Sequence, residues 1–290
     1  MTFLEKLLAA SRRNQSLICI GLDPEFVRLP RHLLDQPDPI LAFHRAIIEA
    51  TADLVCAYKP NLAFYEALGP AGLVTLQETL RLIPSHIPVI GDAKRGDMDN
   101  TARHYARALF DVYQFDAITV NPYLGQDSLQ PFFDYHDKGV LVLCRTSNPG
   151  ARDLQDIIIS DEQGTPEPLY EHIARQILTW NSAGNAGLVV GATYPAELQR
   201  IRQIAPELPI LIPGIGAQGG DLQAAVQAGT DAAGERAIIS ASRSVLYADG
   251  GRDFAAAAAH ATRALREAAN QARPNNGSLA WYNAGRVSNI

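Results

Sequence analysis

Asp92-Ala93-Lys94-Arg95-Gly96-Asp97 places two carboxylates around one lysine, directly after Pro88-Val89-Ile90-Gly91, a run that reads as a buried strand. Burying one charge is costly, and burying several of alternating sign is tolerable only if they neutralise one another. Such clusters sit where chemistry needs them. A protonated lysine facing a developing carbanion can stabilise the charge and then deliver a proton. The same residue types would also serve as a salt-bridge network at the start of a helix. The other polar residues of the chain weigh against that plainer reading.

The elements that must position this cluster are short apolar runs separated by helical patterns. Eight strands are expected: Leu17–Leu22, Leu54–Lys59, Pro88–Ala93, Ala117–Asn121, Gly139–Arg145, Gly187–Ala192, Pro209–Gly214 and Ala237–Ala241. Several are continuously apolar rather than alternating, which favours a parallel sheet covered on both faces. Between them lie helix starts at Asp38-Pro39, Asn100-Thr101, Asp221 and Asp253, and a helix stop at Gly229. Eight strand–helix units in a chain of this length predict an α/β fold, a single-domain (β/α)8 TIM barrel over residues 1–273. A doubly wound sheet would need an early GxGxxG after its first strand, and none is present. Asp153 to Pro168 is a polar excursion in the fifth unit, placed over the barrel top. Residues 274–290 form a tail, with Trp281 and Tyr282, expected to pack on the barrel or on a partner subunit.

Barrel enzymes build their sites from the C-terminal ends of strands. Here those ends hold a coherent polar set: Asp23, Lys59 and Asn61, Asp92 and Lys94, Asn121, Arg145 to Asn148, Gly214 to Asp221, and Ser240 to Ser244. The glycine-rich stretch through Gly216 can turn backbone N–H groups toward an anion, with a helix starting nearby at Asp221. Arg243 adds a fork-shaped cation suited to phosphate. Lys59 and Lys94 are expected on adjacent strands with Asp92 between them, the carboxylates keeping the lysines protonated. Asp97 lies just past the third strand, where a subunit partner could receive it. A carboxylate beside a substrate carboxylate would repel it and lose that repulsion as CO2 departs.

Composition bounds the rest. The 290 residues are 47% hydrophobic and 19% charged, with a formal net charge of −6, so no basic face for nucleic acid is expected. No run approaches a membrane span, and Met1 to Arg13 mixes charges into a helical pattern rather than a signal peptide. Cys19, Cys56 and Cys144 sit in apolar runs without CxxC spacing, which reads as buried thiols in a reducing cytoplasm, not as a zinc site or disulfide framework. The histidines are scattered without ligand spacing. Ser147 lacks the flanking glycines of a nucleophile elbow.

Asp92 to Asp97 with Thr101-Ala102 resembles the signature of the orotidine 5′-phosphate decarboxylase family. The resemblance extends to Gly21-Leu22-Asp23-Pro24, Lys59-Pro60-Asn61, Thr146-Ser147-Asn148-Pro149, Pro213 to Gly220 and Ser242-Arg243. Lys59 to Glu66 is similar to the longer bacterial, type 2, subgroup. The resemblance implies cofactor-free and metal-free decarboxylation of orotidine 5′-monophosphate to UMP, the last step of de novo pyrimidine synthesis. It implies a cytoplasmic homodimer with sites at the interface. In such an enzyme Lys94 donates the proton to C6, Asp92 lies beside the departing carboxylate, and Lys59 bridges the carboxylates and touches the ribose. Asp97 and Thr101 enter the neighbouring subunit's site, Thr101 toward a ribose hydroxyl. Asp23 binds the ribose, Ser147 meets the pyrimidine amide edge, and Gln218 and Arg243 hold the phosphate. The loops near Arg152 and after Gln218 are the candidates for closure over the ligand. Two rivals differ in chemistry. Metal-dependent sugar-phosphate relatives of the same barrel carry an acid in place of Lys59, where a lysine would repel magnesium. A non-catalytic nucleotide sensor would bind UMP without turnover.

Overall fold

The computed structural model describes residues 1–160, 164–215 and 220–274. Within them, eight parallel strands form the barrel: β1 (Ile18–Gly21), β2 (Ala57–Lys59), β3 (Ile90–Arg95), β4 (Ala117–Val120), β5 (Gly139–Arg145), β8 (Ala186–Val190), β9 (Ile210–Ile212) and β10 (Ala237–Ala241). Their order around the sheet is β2-β1-β10-β9-β8-β5-β4-β3. Bridges Tyr58–Val89 and Asn61–Asp92 close β2 on β3, with Tyr58 N–H donating to Pro88 O at 3.1 Å and Asp92 N–H to Pro60 O at 2.9 Å.

The inner layer takes one side chain from every strand: Cys19, Ala57, Ile90, Ala117, Leu141, Val189, Leu211 and Ile238. Helix α1 (Phe3–Asn14) caps this layer from below with Phe3 and Leu7. Thr2 and Glu5 form a capping box that starts it. A side chain at Gly139 would collide with the Phe3 ring, with a Cβ only 2.3 Å from it. The outward residues of the same strands pack on the surrounding helices, which explains the continuous apolar runs. Helices α2 (Pro39–Thr51) and α9 (Leu222–Gly229) start at Asp38 and Asp221, whose carboxylates accept backbone N–H bonds at 2.9 and 2.8 Å. The last long helix, α11 (Phe254–Ala272), packs on α2 and α9.

Several boundaries differ from those expected. The second strand begins at Ala57, because Leu54 closes a turn back onto Thr51. The third runs on through Lys94 to Arg95, past the expected end at Ala93. The seventh, β9, stops at Ile212, before Pro213, which has no N–H to pair. Helix α5 (Asp99–Arg107) starts before Thr101 and ends in a π-turn at Ala108–Val112. The polar excursion folds as a 3-10 turn, Pro149–Asp153, and an antiparallel pair, β6 (Ile158–Ser160) with β7 (Pro166–Pro168). The proposed packing of the tail falls on residues 275–290, outside the described residues.

Candidate active site

Strand geometry builds the site. Two residues beyond the inner layer, alternation returns side chains to the barrel axis. Those positions are Lys59, Asp92, Thr119, Leu143, Pro213 and Ser240, and all six line a cavity of about 570 Å³ at the C-terminal face. Lys94 at the end of β3, Asp23 and Ser147 after β1 and β5, and Arg243 after β10 complete its wall.

Asp92 is the hub. Its Oδ2 accepts from Lys59 Nζ at 3.0 Å and its Oδ1 from Lys94 Nζ at 2.6 Å. Lys59 is buried, while the Lys94 side chain is 50% exposed and faces the cavity. Burial alone would raise the Asp92 pKa, but the charges of Lys59 and Lys94 and their hydrogen bonds hold it well below the usual carboxylate range. Burial alone would lower Lys59, but Asp92 and Asp23 together hold it above the ordinary lysine range. The depressed Asp92 contributes stability above about pH 4 that is lost as pH falls through its folded value. The raised Lys59 contributes below about pH 10 and is lost as pH rises through its own. Both contributions, and both charges, are present across the neutral range.

Asp23 Oδ1 accepts the Asn61 N–H at 3.1 Å, which ties the β1 loop to the end of β2. Ser147 follows Thr146, whose N–H donates to Gln155 Oε1 at 2.8 Å while Gln155 Nε2 donates back to Thr146 Oγ1 at 2.9 Å. Gly191 lacks a side chain because Ser147 occupies its space, with a Cβ there only 2.7 Å from Ser147 Cβ. Arg145 is fully buried beneath this loop, paired with Asp156 and stacked on Tyr194 at 4.4 Å. Arg243 opens a short helix, α10 (Arg243–Leu246), at the rim.

Asp97 and Thr101 do not line the cavity. Asp97 accepts the Met98 N–H at 2.8 Å, and Thr101 is exposed in the first turn of α5. Gly216 and Gln218 lie outside the described residues; Ile215 and Gly220, on either side of them, are bridged to each other. Two lining residues escape a reading of motifs. Gln155 sits in a loop with no signature. Thr119 is a lone hydroxyl in an apolar strand, and its signal is its register two residues past Ala117. Among the described residues no group of three His, Cys, Asp or Glu is placed to hold a metal ion.

Residues 16–260 match the model of the Orotidine 5′-phosphate decarboxylase / HUMPS family. Orotidine 5′-phosphate decarboxylase of Herpetosiphon aurantiacus is 55% identical over 264 residues, covering 91% of this chain and 96% of that protein. The chain belongs to the orotidine 5′-phosphate decarboxylase family. The enzyme of that name from Thermomicrobium roseum is 53% identical over 94% of this chain and 96% of its own. The structure of Leishmania donovani OMP decarboxylase superposes with a TM-score of 0.78 at 41% identity, covering 92% of this chain and all of that one. The region matched by the decarboxylase family model contains every residue that lines the cavity, from Asp23 to Ser244. No helix among the described residues is long and apolar enough to cross a membrane.

Proposed function

We propose that this cavity decarboxylates orotidine 5′-monophosphate to UMP and CO2 without metal or cofactor, completing de novo UMP synthesis. The observation that carries the reading is the contact of Lys94 Nζ with Asp92 Oδ1 at 2.6 Å at the cavity wall. With the substrate carboxylate beside Asp92, like charges oppose each other until the bond to C6 breaks. The electron pair stays on C6, CO2 leaves, and Lys94 Nζ gives C6 one proton. The neutral amine then regains a proton from solvent. Lys59 and Asp23 hold the ribose, Ser147 meets the pyrimidine amide edge, and Arg243 with Gly216 and Gln218 holds the phosphate. Binding energy from the phosphate is available to organise the site around the reacting bond.

Asp97 and Thr101 act in this reading from a second copy of the chain, in a homodimer. Their position outside their own cavity supports it, as does the surface beside them. Gly96 packs on the Asn121 carbonyl, and Met98 and Tyr123, two residues past each, are 65% and 83% exposed, side chains suited to burial against a partner. We place the enzyme in the cytoplasm, where the buried free thiols Cys19, Cys56 and Cys144 remain reduced.

The direct test is ultraviolet absorbance of orotidine 5′-monophosphate mixed with the protein in excess EDTA. Conversion to the UMP spectrum is expected. Failure in EDTA with recovery on adding magnesium would replace this reading with a metal-dependent one. The shared site has its own test. In a hybrid of Lys94→Ala and Asp97→Ala subunits, one site keeps both native groups and the other loses both. Statistical mixing of the two inactive variants should restore about a quarter of wild-type activity. Absence of rescue, with subunit exchange demonstrated, would place Asp97 in its own subunit's site or in none.

A further inference from the structure

Strand β3 departs from its ladder at the reacting residues. Gly91 pairs with Ile118 and Arg95 with Val120, so Asp92, Ala93 and Lys94 all face the single β4 residue Thr119. A common bulge sets two residues against one; this one sets three, and the N–H groups of Ala93 and Lys94 lose their ladder acceptors. Thr119 Oγ1 accepts both, each at 3.0 Å. The same hydroxyl donates to Asp92 Oδ1 at 2.9 Å. A hydroxyl has one proton and two lone pairs to offer, and all three are engaged here. Thr119 is 1% exposed, so water does not compete for these bonds. Lys94 itself sits at φ +49°, in the left-handed region that a residue with a side chain occupies only when its surroundings hold it there.

We infer that Thr119 is a positioning residue for the decarboxylation. Its hydroxyl fixes the bulge, and the bulge sets the unusual backbone from which Lys94 reaches the cavity. Its bond to Asp92 Oδ1 also fixes the carboxylate plane, so that one oxygen faces Lys94 and the other faces Lys59. The inference rests on the roles proposed above for Asp92 and Lys94. It concerns the geometry of the proton donor, so its loss falls on the chemical step and leaves substrate capture in place. Misplacement of a reacting group by about 1 Å costs on the order of 10²-fold in rate.

The experiment compares Thr119→Val, which keeps the shape and removes the hydroxyl, with Thr119→Ser, which keeps the hydroxyl. Lys94→Ala is measured beside them. Thr119→Val should lower kcat by about 10²-fold, with KM and the Kd for UMP within about threefold of wild type, and Thr119→Ser should restore kcat. A purely structural contribution would instead lower the melting temperature and leave kcat per folded site unchanged. Wild-type kcat in Thr119→Val, or equal impairment of Thr119→Ser, overturns the inference. If Thr119→Val does not fold, Thr119→Cys against Thr119→Ser gives the same contrast through a sulfur that bonds weakly. An active Lys94→Ala would overturn the assignment of the proton donor itself. An inactive Lys94→Ala beside a fully active Thr119→Val would overturn only the role of Thr119.

Discussion

Lys94→Ala is expected to lower kcat on orotidine 5′-monophosphate by about 10⁴-fold or more, because it removes the proton for C6 and the cation facing the carbanion together. The fold should survive. Asp92 keeps Lys59 at 3.0 Å and Thr119 at 2.9 Å, so no buried carboxylate is left unpartnered. The lost pair joins a half-exposed ammonium to a carboxylate that keeps two other donors, which limits the cost in stability. The urea midpoint should therefore move little, and UMP should still bind. Lys94→Arg makes a stringent companion, since it keeps the charge but replaces a compact ammonium with a planar fork that holds its proton far more tightly. It too should be inactive. Appreciable kcat in Lys94→Ala would remove the lysine from the proton-donor role, and the folded, UMP-binding protein would rule out unfolding as the reason for any loss.

Arg243→Ala is expected to act on a different parameter. Arg243 lines the same cavity as Lys59 and Lys94, together with Gly214 and Ile215. Truncating one member of a charge pair that a bound ligand desolvates costs about 2–5 kcal/mol. That corresponds to a loss of roughly 30- to 5,000-fold in kcat/KM, taken mostly in KM. Orotidine without its phosphate supplies the control. It has no partner for the guanidinium, so the wild type and Arg243→Ala should turn it over equally slowly. An unchanged kcat/KM for the phosphorylated substrate would sink the phosphate assignment. Equal losses on both substrates would mean that Arg243 supports the pyrimidine end instead. The two variants thus separate the ends of the ligand: Lys94 governs the bond that breaks, and Arg243 governs the group that stays.

Much of this site is legible from residue types because the fold does simple things with them. A parallel barrel sends every strand end to one face, so Asp23, Lys59, Asp92, Ser147 and Arg243 converge on one cavity although they are far apart in sequence. Helix starts at Asp38 and Asp221 are equally direct, since a carboxylate before an apolar-periodic run satisfies N–H groups that nothing else can reach. Strand limits are less so. Whether Leu54 or Ala57 opens β2 depends on a turn to Thr51, and that competition is settled by neighbours rather than by propensity. The bulge in β3 is hidden for the same reason: Asp92-Ala93-Lys94 looks like an ordinary alternation until β4 is laid beside it. Gln155 and the β6–β7 pair belong to a polar stretch whose pattern distinguishes neither a loop from a hairpin nor a lining residue from a solvated one.

Ile18 pairs with Ile239, and Arg12 of the first helix bonds Glu235 at 2.7 Å. During synthesis, β1 therefore leaves the ribosome long before its β10 neighbour exists. At about 5–20 residues per second, one edge of β1 waits tens of seconds for its partner. Throughout that interval it is an apolar strand with unpaired backbone, the kind of edge that recruits other chains. Nascent chains are therefore expected to hold this apolar edge open over most of their translation, and a chain truncated before residue 237 should aggregate rather than fold into a smaller working enzyme.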